Sequence, residues 1–245
     1  MRNLLLGATA ALACLAPTAA NAQTDGFVDV SIGQVDSDFE DIDTLSIGGS
    51  VAADVAGDWR AQFDANVTRF SVDDDAISAT DVAAHLFYDG GDWAIGGVLA
   101  NRDYIFGSAW TLGAEGQVNL GPVVLEGELG FGTLEGLGGE SDLTNADVNA
   151  TWYVTPNFSV GAGYALLDFD EVDESIDTWS VDAEYKFASP FSIFAGYSNT
   201  EIEDVETDGF RVGGRFAFGN DTLQGRRATG PQWLGVSSQF LSFIS

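Results

Sequence analysis

The feature that most constrains this chain is a period of two. From Gly26 to Phe218 it runs as about twelve segments in which apolar and polar residues alternate. Trp59-Arg60-Ala61-Gln62-Phe63-Asp64-Ala65-Asn66-Val67-Thr68 is the cleanest, with apolar residues at every odd position and polar ones between. Successive side chains of a strand point to opposite faces, so each segment is a strand with one apolar and one polar face. A water-soluble sandwich can also alternate. Here tight turns and longer acidic stretches join the segments in strict rotation, the asymmetry that an antiparallel barrel closed across a membrane needs.

The tight connections are Val55-Ala56-Gly57-Asp58, Asp89-Gly90-Gly91-Asp92, Asn119-Leu120-Gly121-Pro122, Thr155-Pro156-Asn157 and Ala188-Ser189-Pro190. They recur roughly every 31–35 residues, so each interval holds two strands and one longer connection. Gly, Asn and Pro meet the backbone demands of such turns. The longer connections, 36–44, 71–80, 102–107, 133–145, 168–178 and 198–209, are expected to be loops, and they carry acidic clusters at 73–75, 168–174 and 201–206. Strands are predicted over 26–34, 45–55, 58–68, 80–88, 92–101, 108–119, 122–132, 145–154, 157–167, 177–187, 190–198 and 209–218. Several reach the ~9–11 residues of a tilted membrane strand. Val28, Val30, Ile32, Leu45, Ile47, Val82, Leu86, Val148, Trp152, Val160, Tyr164, Trp179, Val181, Phe210, Val212 and Phe216 are among those expected to face lipid. Trp59, Trp93, Tyr153, Phe158, Phe187 and Phe191 flank the tight turns and predict an aromatic girdle there.

The first 22 residues have the pattern of an export signal. Arg2 supplies a positive start, Leu4–Leu15 an apolar stretch, and Ala20-Asn21-Ala22 a small-residue cleavage site. The mature chain is expected to begin near Gln23. Its apolar stretch is too short to span a bilayer, and no later run reaches the ~18 apolar residues of a membrane helix. The single cysteine, Cys14, lies in the signal, where the preceding Ala11-Leu12-Ala13 makes a poor lipid-attachment motif. The mature chain then has no disulfides. Without Arg2 it carries eight basic residues against 38 acids, about −30 in charge. Nucleic-acid binding needs a basic surface and is excluded on that ground. With 45% hydrophobic and 12% aromatic residues, the acids belong to a folded chain and must be segregated within it.

The last alternating segment ends Arg211-Val212-Gly213-Gly214-Arg215-Phe216-Ala217-Phe218. With its polar residue, Gly, apolar position and final aromatic, this stretch resembles the closing strand of the outer-membrane β-barrels of Gram-negative bacteria. Together with the pattern from Gly26 onward, the chain is similar to the small porin-like members of that superfamily. The resemblance implies a multi-pass outer-membrane barrel, with short turns in the periplasm and long loops outside. It also implies that assembly machinery recognises Arg211, Gly213, Phe216 and Phe218. Lipid and lipopolysaccharide become expected neighbours, the latter bridged by divalent cations. The chain departs from the pattern in two ways. The closing aromatic usually ends the chain, but 27 residues follow Phe218; they include Gly225-Arg226-Arg227 and read as an irregular periplasmic tail at 219–245. General-diffusion porins also have more strands and an inward-folding third loop, for which 102–107 is too short.

Twelve strands fall between a barrel filled by side chains and one that encloses an open channel. The inward set includes small residues (Ser46, Gly48, Ser50, Gly96, Gly113, Gly130, Gly161, Gly163, Gly196 and Gly213) and charges of both signs. Arg60, Lys186, Arg211 and Arg215 oppose Asp64, Glu115, Glu126, Glu128, Asp147, Asp182 and Glu184. Ionised groups in a dry interior are costly unless paired, so the pattern implies either a narrow hydrated channel or a closed ionic network. The acidic balance favours cations in a conducting lumen. The expected function is a passive channel for small hydrophilic solutes. The alternative is a non-conducting structural or adhesive barrel that works through its acidic surface. Asp168, Asp170 and Asp173 lack the glycine turn and ligand order of a calcium loop. The sole histidine, His85, points inward near a tight turn and reads as structural, with Asp81 too far along the strand to bond it. No catalytic residues, metal site or cofactor are expected.

Overall fold

The computed structural model describes residues 24–37, 41–72, 75–104, 107–136, 139–169, 174–202, 205–219 and 222–229. Twelve strands follow in order: β1 (Thr24–Ser37), β2 (Asp41–Ala56), β3 (Trp59–Val72), β4 (Asp75–Asp89), β5 (Trp93–Tyr104) and β6 (Gly107–Leu120), then β7 (Val123–Gly136), β8 (Gly139–Thr155), β9 (Phe158–Phe169), β10 (Glu174–Lys186), β11 (Phe191–Ile202) and β12 (Val205–Phe218). Among the described residues one helix, α1 (Leu223–Thr229), comes after them. Each strand pairs antiparallel with its sequence neighbours, and β1 pairs with β12 to close the barrel. Gly26 lies opposite Phe218, Val30 opposite Gly214 and Gln34 opposite Phe210. Closure leaves no unpaired sheet edge, the condition for placing strands in lipid. Among the described residues no helix is long and apolar enough to cross a membrane.

The tight turns fall where predicted. Gly57, Gly91 and Gly121 adopt positive φ of 59°, 86° and 68°, which a side chain would disfavour. The outer face is apolar: Val28, Ile32, Ile47 and Leu112 are 54%, 60%, 57% and 66% exposed. Water would penalise such a continuous belt, whereas lipid accommodates it.

The aromatic girdle at the tight-turn end is present, with Tyr88 against Trp59 and Trp93, Tyr185 against Phe187, and Phe191 against Phe216. Tyr153 is not in it. A bulge between Tyr153 and Thr155 accompanies an inward, buried Tyr153 that packs with Val124 and Leu223. A second aromatic ring, not predicted, lies toward the other end, where Trp179 packs against Tyr197 with ring centroids 5.2 Å apart and planes tilted by 55°. Trp179 and Tyr185 are six residues apart on β10, or ~20 Å along the strand.

The expected long loops are mostly strand. The strands run past their predicted ends and leave only 38–40, 73–74, 105–106, 137–138, 170–173 and 203–204 between them on that side, all outside the described residues. Beyond the second aromatic ring the two faces exchange chemistry. On β10, Lys186, Glu184 and Asp182 face inward and Tyr185, Val181 and Trp179 outward; further along, Ile176 is inward and Asp177 outward. On β9 Leu167 is inward and Asp168 outward, and on β1 Val35 is inward and Asp36 outward. An apolar cluster of Ala109, Leu143, Ala165, Leu167 and Ile176 fills the inner side of this end. Among the described residues of this end, acids such as Asp36, Asp168 and Asp177 therefore sit on the outer face of the strands, with apolar side chains inside.

The tail also differs from expectation where it is described. Thr222 caps α1 by accepting the Gly225 N–H at 2.8 Å, and Arg226 and Arg227 occupy the last turn, where the helix dipole favours cations. The expected signal at 1–22 and residues 230–245 lie outside the described residues.

Candidate functional site: the charged barrel interior

Strand parity alone determines which charges meet inside. Arg60, Asp64, Glu115, Glu126, Glu128, Asp147, Asp182, Glu184, Lys186, Arg211 and Arg215 all lie on inward positions of their strands. The pleat also brings inward Asp25, Asp29, Asp81 and Arg102. Asp29 follows from the outward Val28 and Val30. Arg102 was hidden because 102–107 reads as a loop, whereas β5 continues to Tyr104.

Arg215 is the hub of one wall. Its guanidinium reaches Asp29 at 3.0 Å and Glu184 at 2.5 Å, and lies over the Phe27 ring at 4.3 Å and the Phe194 ring at 5.0 Å. Glu184 also accepts from Ser192 Oγ at 2.5 Å. Gly213 leaves room for the Phe194 ring and the Val30 carbonyl, which a Cβ there would strike. Arg211 stands four residues further along β12, over Phe194 at 5.6 Å.

The facing wall is richer in acids. Glu115, Glu128 and Asp147 are direct cross-strand neighbours on β6, β7 and β8. Like charges placed opposite repel, so each needs a partner. His85 holds Glu115 through Nδ1 at 2.8 Å and Asp64 through Nε2 at 2.8 Å. Asn145 donates to Glu128 at 3.0 Å. His85 thus bridges two carboxylates, neither of which is Asp81. Asp64 further accepts from Gln62 at 2.8 and 3.0 Å and pairs with Ser50.

Between the walls lies a cavity of about 120 Å³, lined by Asp29, Asp64, Asp81 and Glu128 and by Arg102, Arg211 and Arg215, with His85 and several serines. One water needs ~10–15 Å³ on this measure, so the space accommodates a small cluster of waters among polar partners. Bases on β12 therefore face acids on β3 and β4 across the lumen. Lys186 is directed elsewhere: its Nζ donates to the Ser189 carbonyl in the turn at 2.8 Å. Among the described residues no group of three or more His, Cys, Asp and Glu is arranged to hold a metal ion.

The tight-turn end of the interior has a further layer. Arg60 bonds Asp54 at 2.9 Å and approaches Asp25 at 3.5 Å. Above it come two bases from α1, Arg226 to Glu184 at 3.2 Å and Arg227 to Glu126. Burial pulls the pKa of both guanidiniums down, Arg227 to about 9, and the nearby Glu184 carboxylate opposes the shift at Arg226. Both remain charged at neutral pH. The signal for this layer was present in the sequence, as two adjacent arginines in a chain with only nine basic residues.

The family model for Gram-negative porins matches residues 38–204. Among solved structures, the fold is similar to the NanC porin, with a TM-score of 0.60 and 11% identity over 77% of this chain and 98% of that one. The KdgM porin gives 0.53 at 13% identity, covering 78% and 99%. An anion-selective porin from Comamonas acidovorans gives 0.50 at 12%, covering 81% and 99%. At these identities the likeness carries the fold alone. No curated protein sequence matches the chain.

Proposed function

The chain belongs to the Gram-negative porin family, and from that premise we propose that it is a passive outer-membrane channel for small hydrophilic solutes with a mild preference for cations. The observation that carries the reading is a charged, cavity-containing interior inside a closed shell whose outer face is apolar. A wall of charges of both signs around water-accessible space gives a polar solute hydrogen-bonding partners through the bilayer, which lipid does not. Inward acids outnumber inward bases, and this balance attracts cations and repels anions. No catalytic role is assigned: His85 has both ring nitrogens committed to carboxylates and serves to hold the wall together. In this reading the outward acids beyond the second aromatic ring meet lipopolysaccharide through divalent cations. Residues Arg211 to Phe218 serve as the strand that assembly machinery recognises.

The test is the reversal potential under a salt gradient. Glu128→Gln with Asp147→Asn removes two charges from neighbouring positions and also relieves their mutual repulsion, so the barrel keeps its fold. The cation-to-anion permeability ratio is expected to fall about threefold, the consequence of a change of roughly half a kT in lumen potential acting oppositely on cations and anions. Arg211→Gln is expected to move it the other way. Unchanged ratios in both variants would contradict a path lined by these groups.

A further inference from the structure

We propose that α1 is a displaceable plug that closes the tight-turn mouth of the channel, an inference that rests on the channel reading above. The helix is held at that mouth by contacts to separate parts of the wall. Arg226 reaches Glu184 on β10 and Arg227 reaches Glu126 on β7, three strands away around the barrel. Leu223 is buried against Val124 and Tyr153, two inward side chains at the end of β7 and β8. Gln224 ties the helix to two turns, its backbone N–H donating to the Pro156 carbonyl at 3.2 Å and its side chain to the Gly121 carbonyl at 3.1 Å. The inward Tyr153 that left the aromatic girdle is thus the floor on which the plug rests.

Three features make the plug removable. The barrel is complete before α1 begins, because β12 ends at Phe218 with both its neighbours paired. Departure of α1 therefore breaks no strand ladder. A seven-residue helix is far too short to persist in water, so α1 exists as a helix only while docked, and undocking returns conformational entropy to the segment. The wall is also prepared for its absence on one side, since Glu184 keeps Arg215 and Ser192 when Arg226 leaves. On the other side Arg227 pairs with Glu126, a second tie between the helix and the wall. Both pairs are buried, so salt screens them only weakly and the docking is expected to change little with ionic strength.

The closing experiment uses the full mature chain in planar bilayers, with folding verified for each variant by heat-modifiable migration. Val124→Cys with Leu223→Cys joins the plug to the wall in a chain whose only natural cysteine is Cys14. The oxidised, cross-linked protein is expected to be silent, and reduction is expected to restore conductance steps. Arg226→Ala with Arg227→Ala is expected to raise the open fraction on the order of tenfold over the unmodified protein, because each substitution removes one partner of a buried pair. Equal conductance of the verified cross-linked and reduced forms would overturn the plug and leave the channel standing. Silence of every variant, including Arg226→Ala/Arg227→Ala, would overturn the channel and the plug together.

Discussion

Val30→Arg is expected to destabilise the folded barrel in a lipid bilayer by about 2–4 kcal/mol, the cost of a cation on the lipid face near the midplane. Val30 points outward and is half exposed. It lies opposite Gly214, midway between the outward aromatics Phe210 and Phe218 of β12. On a water-facing sheet the same change would stay within ~0.5 kcal/mol, as most exposed substitutions do. Glu201→Gln, on an exposed side chain beyond the second aromatic ring, is expected to remain within that smaller range. Urea unfolding of the two variants in vesicles measures both. Equal small effects would mean that the apolar belt faces something other than lipid.

Arg215→Ala is expected to cost about 3–5 kcal/mol, the range for removing one partner from a buried charge network. The loss is large because Arg215 serves several groups at once. It pairs with Asp29 and Glu184 and covers Phe27 and Phe194. Without it, Glu184 on β10 keeps Arg226 of α1, while Asp29 on β1 loses its ion-pair partner. Denaturant midpoints at constant slope provide the measurement. A loss below about 1 kcal/mol would place Arg215 in water as mobile as bulk solvent, with the pairs contributing as little as surface salt bridges.

Much of the barrel was legible because the period of two carries structural information directly. Once Val28, Val30 and Ile32 are assigned to lipid, Asp29 and Ser31 have to be inside, and the same inference places Glu115, Glu128, Asp147 and Arg215. Glycines at the tight turns fixed where one strand stops and the next begins. The strand ends on the other side were harder to read. Their alternation continues, but with polar residues outside and apolar ones inside, and a dense run such as 168–174 resembles a solvated loop unless this exchange of faces is considered. Arg102 was lost for that reason. Tyr153 was misplaced because it sits beside a tight turn, although the alternation that puts Val148 and Trp152 outside already puts it inside. The docking of α1 depends on pairing Arg226 and Arg227 with acids some 40 to 100 positions earlier, a contact that no local pattern encodes.

The central claim is that the interior conducts, and single-channel recording in planar bilayers tests it most directly. Both the unmodified mature chain and Arg226→Ala/Arg227→Ala should be recorded, after each has been shown to be a folded, heat-modifiable barrel. The account predicts discrete cation-preferring steps, sparse in the first protein and frequent in the second. A folded barrel that stays electrically silent in both forms would contradict it, and would direct attention to a structural or adhesive role for the acidic outer rim.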